Sequence, residues 1–176
     1  MEIYDLLRQD HTEVKSMLND LIKLDQNDEY RFILMQEIKN ALIPHSRAEE
    51  SVFYNAIRAV DADKSVVAHS YQEHLEAETM LRTLLVKDKT NLDWRSTAKK
   101  LQQALEHHIS EEEGRVFAEA RKIFTPQEAE SIGQAFEKLK PTFVGDGVVK
   151  NTIDIVINML PPRLANGIRG LGNQNP

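Results

Sequence analysis

Four stretches of this chain repeat apolar residues at three- and four-residue spacing, and a fold must give each of them a helical stripe to bury. The stripes run Tyr4, Leu7, His11, Val14, Leu18, Leu21; then Ile38, Leu42, His45, Glu49, Phe53, Ala56; then Val67, Tyr71, His74, Glu78, Leu81, Leu85; and last Leu101, Leu105, His108, Glu112, Val116. Polar breaks at "DQND" (Asp25–Asp28), "VDADK" (Val60–Lys64) and "KDKTNLD" (Lys87–Asp93) separate them. Links this short join antiparallel neighbours, and no strand-like alternation competes. The expected fold is all-α, an antiparallel up-down-up-down four-helix bundle.

The bundle is expected over 1–124 and a fifth helix over 125–140. That helix begins at "TPQE", where Thr125 caps, Pro126 takes the first helical position and Glu128 completes a capping box. Residues 141–176 read as a C-terminal amphipathic segment and flexible tail. Val149, Ile153, Ile157 and Leu160 share a face, Pro161-Pro162 ends it, and "LANGIRGLGNQNP" is rich in Gly and Asn. A short helix closing one end or flank of the bundle is expected here; a homodimer, partner or peripheral membrane contact is the alternative.

The stripes themselves are unusual. Each carries a histidine, and three follow it with a glutamate one turn along the same face. In the fourth helix the rival line through Lys100, Gln103, His107, Glu111 and Gly114 is polar throughout, so His107, Glu111 and Glu113 are expected toward water and His108 and Glu112 inward. His69 falls off its stripe and is expected to be exposed. Pro44 should kink or bulge the second helix beside His45. One inward histidine is ordinarily a hydrogen-bonded core residue. An isolated buried carboxylate, by contrast, costs several kcal/mol even after relaxation, and no lysine or arginine lies on the stripes near the histidines. A bound cation is the economical compensation. Counted from the breaks, the four histidines fall at similar heights, so the ligands converge in one layer.

Composition narrows the cation and the partners. With no cysteine, His, Asp and Glu are the available strong ligands, a nitrogen and oxygen set that suits iron, manganese or zinc. Carboxylates able to bridge suggest two ions, with Glu49 and Glu112 spanning the pair, His11 and His45 serving one, and His74 and His108 the other. Glu78 reads as a direct ligand, a nearby base or a salt-bridged surface residue. A net charge of −6 without a basic stripe argues against nucleic acid. The amphipathic, charged N-terminus is neither a signal peptide nor a transmembrane segment, so a cytoplasmic location is expected.

The ordered set "QDHTEV", "PHSRAEESVFY", "QEHLEAE" and "EHHISEEEGRVF", across about Met1 to Phe124, resembles the hemerythrin/HHE cation-binding family. The resemblance implies a hemerythrin-like bundle around a non-heme di-iron centre. Its metal ligands would be His11, His45, Glu49, His74, Glu78, His108 and Glu112, holding two iron ions with an oxo or hydroxo bridge. Dioxygen, peroxide or nitric oxide would be its small-molecule ligands. Oxygen-carrying members have a further histidine where this chain has Glu78. An anionic oxygen there should favour ferric iron over reversible dioxygen release. The expected function is therefore binding or reducing dioxygen or peroxide, in an oxidative-stress or oxygen-related role. Catalase- or peroxidase-like turnover stays an open question at this level. The alternatives are an iron- or oxygen-responsive module or iron donor without turnover, and a structural bundle whose histidines only hydrogen-bond.

Overall fold

The computed structural model describes residues 1–25, 27–60, 65–89, 93–144 and 150–172, and among them there is helix and no strand. In chain order the helices are α1 (Ile3–Lys23), α2 (Tyr30–Glu49), α3 (Asn55–Val60), α4 (Ser65–Lys89), α5 (Trp94–Glu111), α6 (Phe117–Ile123), α7 (Pro126–Leu139), α8 (Lys150–Ile157) and α9 (Pro162–Gly172). The four sequence stripes fall on α1, on α2 running into α3, on α4, and on α5 and the turn that follows it to Val116. Asp25 and Asp28 lie between α1 and α2; residues 61–64 and 90–92 of the other two breaks lie outside the described residues.

Local signals explain the helix ends. Asp93 caps α5, its carboxylate accepting from the Ser96 N–H at 3.1 Å. The predicted capping box opens α7: the Glu128 N–H donates to Thr125 Oγ1 at 3.2 Å, and the Thr125 N–H donates to Glu128 Oε2 at 2.9 Å.

Two joints are not regular α-helix. Glu50–Tyr54 and Glu112–Val116 are wide π-helical turns, the first following Glu49 directly and the second starting at Glu112. Such turns are rare and are found frequently at functional sites. Helical structure continues through Pro44 to Glu49, so the irregularity lies beyond His45 rather than at the proline. The second π turn has no proline at all, which separates this feature from proline kinking.

The interior consists of two apolar clusters with a polar layer between them. One cluster is rich in aromatic residues, including Tyr4, Phe53, Tyr54, Phe117 and Phe136; the other is largely aliphatic, including Leu18, Leu34, Leu81 and Leu101. Along α1 the chain passes from Leu7 of the aromatic cluster through His11 to Val14 of the aliphatic one. On α2 and the π turn after it, it passes from Leu42 through His45 and Glu49 to Val52. Along α4 it goes from Val67 through His74 to Ala77, and along α5 and its following π turn from Leu105 through His108 and Glu112 to Val116.

The C-terminal stretch departs from the expected flexible tail. Pro162 opens helix α9 instead of ending structure, and Leu164, Ala165 and Ile168 are buried in the aromatic cluster. Their spacing puts them on one helical face, and two glycines do not outweigh that burial. Gly167 lets α9 close on α3, since a Cβ there would stand 2.6 Å from the Ala59 Cβ. Val156, Ile157 and Leu160 also join the aromatic cluster, while Val149 and residues 173–176 lie outside the described residues.

Candidate metal centre

The polar layer is assembled from four helices. His11 comes from α1, His45 from α2, His74 from α4 and His108 from α5, and all four are buried. Glu49 and Glu112 are 0% exposed. Each carboxylate lies between two rings. Glu49 Oε2 is 3.5 Å from the Nε2 atoms of both His45 and His74, and Glu112 Oε2 is 3.2 Å from His11 Nε2 and 3.8 Å from His108 Nε2. The rings also pair with each other: His74 and His108 bring their Nε2 atoms to 3.0 Å, and His11 and His45 stack edge-on with centroids 5.1 Å apart.

The outward nitrogen of every ring faces a carboxylate. His11 Nδ1 meets Glu113 Oε1 at 2.9 Å, His45 Nδ1 meets Asp10 Oδ2 at 2.9 Å, His74 Nδ1 meets Glu50 Oε1 at 2.8 Å, and His108 Nδ1 meets Glu73 Oε2 at 2.9 Å. A carboxylate accepts at Nδ1 only if that nitrogen carries the proton, which leaves Nε2 as a lone pair in the neutral ring. In the neutral rings all four inward nitrogens are then acceptors, and the oxygens they face are acceptors too wherever Glu49 and Glu112 are ionised. Two lone pairs 3.0 Å apart repel unless something positive stands between them. The Lys140 ammonium, 2.7 Å from both Asp10 oxygens, steadies one of the outer carboxylates.

Orphaned atoms tell the same story. Both Glu49 oxygens, Glu112 Oε2 and His11 Nε2 are buried without a hydrogen-bond partner, although groups so buried are ordinarily satisfied. Glu112 Oε1 accepts from the Tyr54 hydroxyl at 3.2 Å. Burial and the neighbouring Glu112 charge push the Glu49 carboxyl well above its ordinary range. Burial works the same way on Glu112, but Glu49, His11 and His108 outweigh it and hold Glu112 low. Burial drives the His45 imidazole down to about 4, and burial together with His74 lowers His108. Burial opposes charge on His11 as well, yet Glu112 and Glu113 more than offset it and raise that group. This donor set fits a metal cation: Glu49, His74 and His108 alone offer three ligand atoms within 4.8 Å of one another. A cavity of about 10 Å³, space for one water-sized molecule, touches all four histidines and is walled by Val14, Leu42, Leu105 and Ile109.

Of the residues singled out from sequence, His11, His45, Glu49, His74, His108 and Glu112 come together. Glu78 does not join them. Its carboxylate accepts from Arg82 Nε at 2.9 Å and lies 3.5 Å from Arg47 Nη2, on the partly exposed side of α4. His69 and His107 are more than half exposed. Glu113, expected toward water, instead turns to His11. Among the tyrosines, Tyr54 reaches Glu112, Tyr71 donates to Asn55 Oδ1, and the buried Tyr4 hydroxyl has no partner. The ring-orienting carboxylates Asp10, Glu50, Glu73 and Glu113 are absent from the stripe reading. A signal for them exists, because each is the chain neighbour of an inward ligand: Asp10 of His11, Glu50 of Glu49, Glu73 of His74 and Glu113 of Glu112.

A helical chain with an inward-facing His/Glu group able to hold a cation defines a metal-binding helical protein. The comparison with known families is specific: the hemerythrin HHE cation binding domain matches residues 2–120, and the chain belongs to that family. Relatives include a protein of Nostoc sp. named DNA nickase, 23% identical over 140 residues, covering 80% of this chain and 39% of the relative. Uncharacterised proteins of Mycobacterium bovis and Mycobacterium tuberculosis are 32% identical over 85 residues, covering 48% of this chain and 51% of theirs. The chain thus spans about half, or less, of the length of the curated relatives it matches. No solved structure matches. Among the described residues no helix is long and apolar enough to cross a membrane.

Proposed function

We propose that this chain is a non-heme di-iron protein that binds or reduces dioxygen or peroxide at a carboxylate-bridged centre held by His11, His45, Glu49, His74, His108 and Glu112. The observation that carries the reading is the convergence of inward Nε2 lone pairs on buried carboxylate oxygens that have no donor of their own. The pairing supports two ions. His11 lies beside His45 and His74 beside His108, while Glu49 spans from His45 to His74 and Glu112 from His11 to His108. Each carboxylate therefore links the two histidine pairs, as a bridge must. Glu78 is left out of the ligand set because Arg82 and Arg47 already neutralise it.

Iron, when bound, would supply the redox chemistry and open coordination positions. The chain's own residues do the rest. Asp10, Glu50, Glu73 and Glu113 fix the tautomer and aim of the rings, and such outer partners are ordinarily worth about 10–100-fold in metal affinity. Val14, Leu42, Leu105 and Ile109 make the wall of the cavity beside the histidines apolar. The Tyr54 hydroxyl donates to Glu112 Oε1 at 3.2 Å.

An antiparallel up-down-up-down bundle over 1–124 is part of the proposal, closed by the helix over 125–140 and the segment 141–176. Two patterns support it. The order in which the helices meet the aromatic and aliphatic clusters alternates from α1 to α2 to α4 to α5. The orienting carboxylate precedes its neighbouring ligand on α1 and α4 and follows it after α2 and α5. In alternating helices those offsets rotate the same way, so each helix passes a carboxylate to the next in one circular sense: α1 to His45, the α2 end to His74, α4 to His108 and the α5 end to His11.

A second reading, an iron- or oxygen-responsive module or iron donor without turnover, draws support from the length of the relatives, in which the matched region is only part of a longer chain. Metal analysis of natively purified protein, followed by its visible spectrum under air, nitric oxide and peroxide, tests both. Two irons per chain and multiple peroxide turnovers are expected. Two irons without turnover would favour the responsive module, and natively purified protein that carries no metal would overturn the centre.

A further inference from the structure

Outside the buried layer, a second set of ligating side chains gathers on the face shared by α4 and α5. His69 and Glu73 stand one turn apart on α4, and His107 and Glu111 one turn apart on α5. One ligand atom from each lies within 4.8 Å of the other three. Glu73 Oε1 is the hub, 3.4 Å from His69 Nε2 and 3.8 Å from His107 Nε2.

We propose that His69, Glu73, His107 and Glu111 form a separate, peripheral binding site for a divalent transition-metal cation. Four tetrahedral ligands at about 2.05 Å from an ion stand roughly 3.3 Å from one another, close to the His69–Glu73 separation. Small rotamer changes at the exposed His69 and His107 and at the partly exposed Glu111 would draw in the rest. Two imidazoles and two carboxylates without sulfur make a borderline set, suited to zinc, cobalt, nickel or ferrous iron rather than calcium or magnesium. The same residues as plain surface ion pairs would contribute little to stability. Among the described residues, no lysine or arginine pairs with Glu73 or Glu111 to neutralise them instead.

Glu73 gives the site a connection. Its side chain is only 10% exposed, and while Oε1 faces the surface histidines, Oε2 accepts from His108 Nδ1 at 2.9 Å. A cation on Oε1 would draw charge from the carboxylate that orients His108. This coupling rests on the proposed ligand role of His108; the peripheral site itself does not.

Zinc titration of the iron-loaded full chain by calorimetry tests the site, with His69→Ala/His107→Ala as the comparison. One added zinc equivalent is expected. The double variant should weaken its binding by at least about 100-fold, since direct ligands count for more than outer partners, with iron content unchanged. Cobalt in place of zinc should give intense visible bands of four-coordinate geometry that the variant lacks. Zinc binding that is equal in variant and parent, or confined to millimolar zinc, would overturn the site. Purified protein that carries no iron but still takes up the histidine-dependent zinc would overturn the buried centre and leave the peripheral site standing.

Discussion

Glu112 and Glu78 carry the same side chain one turn beyond an inward histidine, and their fates differ because of what surrounds them. Glu112 sits among rings and a tyrosine hydroxyl with no lysine or arginine paired to it among the described residues, whereas Arg82 and Arg47 close on Glu78. Glu112→Gln is expected to lower iron affinity by at least about 100-fold, and Glu78→Gln to leave iron content unchanged. Metal analysis of the two proteins after identical purification decides, and equal losses would return Glu78 to the ligand set. Metal-free protein should respond in the opposite sense at Glu49, whose oxygens are buried and unpartnered. Glu49→Gln there is expected to gain on the order of 1 kcal/mol in urea unfolding, because a costly buried ionisable group has gone. The inward residues were legible in sequence because a period of 3.6 assigns each position an angle on its own helix. The orienting carboxylates were not, because their partners belong to other helices. A residue next to a ligand in the chain lies about 100° around the helix from it, at the seam with a neighbour. Only the packing of the helices turns that seam position into a contact with Nδ1.

Among the elements, α7 shows how far local rules reach. Thr, Pro and Glu at the right offsets predicted its start, and the capping box forms there. Removing it with Thr125→Ala is expected to cost about 1 kcal/mol, read from the midpoint of chemical denaturation. Glu128 does more than cap, since Arg163 of α9 donates to it at 2.9 and 3.0 Å. Arg163 first, then the Thr125 backbone, hold the Glu128 carboxyl below its ordinary 4.5 against the effect of burial. A depressed folded-state value means the stabilisation is complete above pH 4.5 and lost as pH falls through the lower folded value. Arg163→Ala should therefore destabilise the protein at neutral pH and flatten the acid side of its stability profile. A profile identical to the parent would show that the ion pair contributes nothing. The π turns were beyond local rules. Their sequences, "ESVFY" and "EEGRV", contain no residue that demands a wide turn, and the turn forms where the neighbouring helices fix Glu49 and Glu112 in the polar layer.

At the scale of the whole molecule, the sequence reading failed where glycine and asparagine outweighed a short apolar pattern. Composition made 164–176 look mobile; the buried face of Leu164, Ala165 and Ile168 makes 162–172 part of the aromatic core. What allows this is a close approach of two helices, with a Cβ at Gly167 falling 2.6 Å from the Ala59 Cβ and 3.2 Å from its carbonyl oxygen. Neither atom belongs to a flexible side chain that could swing away. Gly167→Val must therefore push α9 off α3 or strain both, at a cost of about 1–3 kcal/mol as for other overpacked cores. Limited trypsin digestion should then cut at Arg163 and Arg169 faster than in the parent protein. Those two helices meet in the aromatic cluster, away from the histidine layer, so metal content should hold while the tail loosens. Unchanged proteolysis would mean that α9 accommodates the valine without undocking. Loss of metal together with faster cleavage would mean that the tail and the metal layer unfold as one unit, which would make α9 part of what holds the centre together.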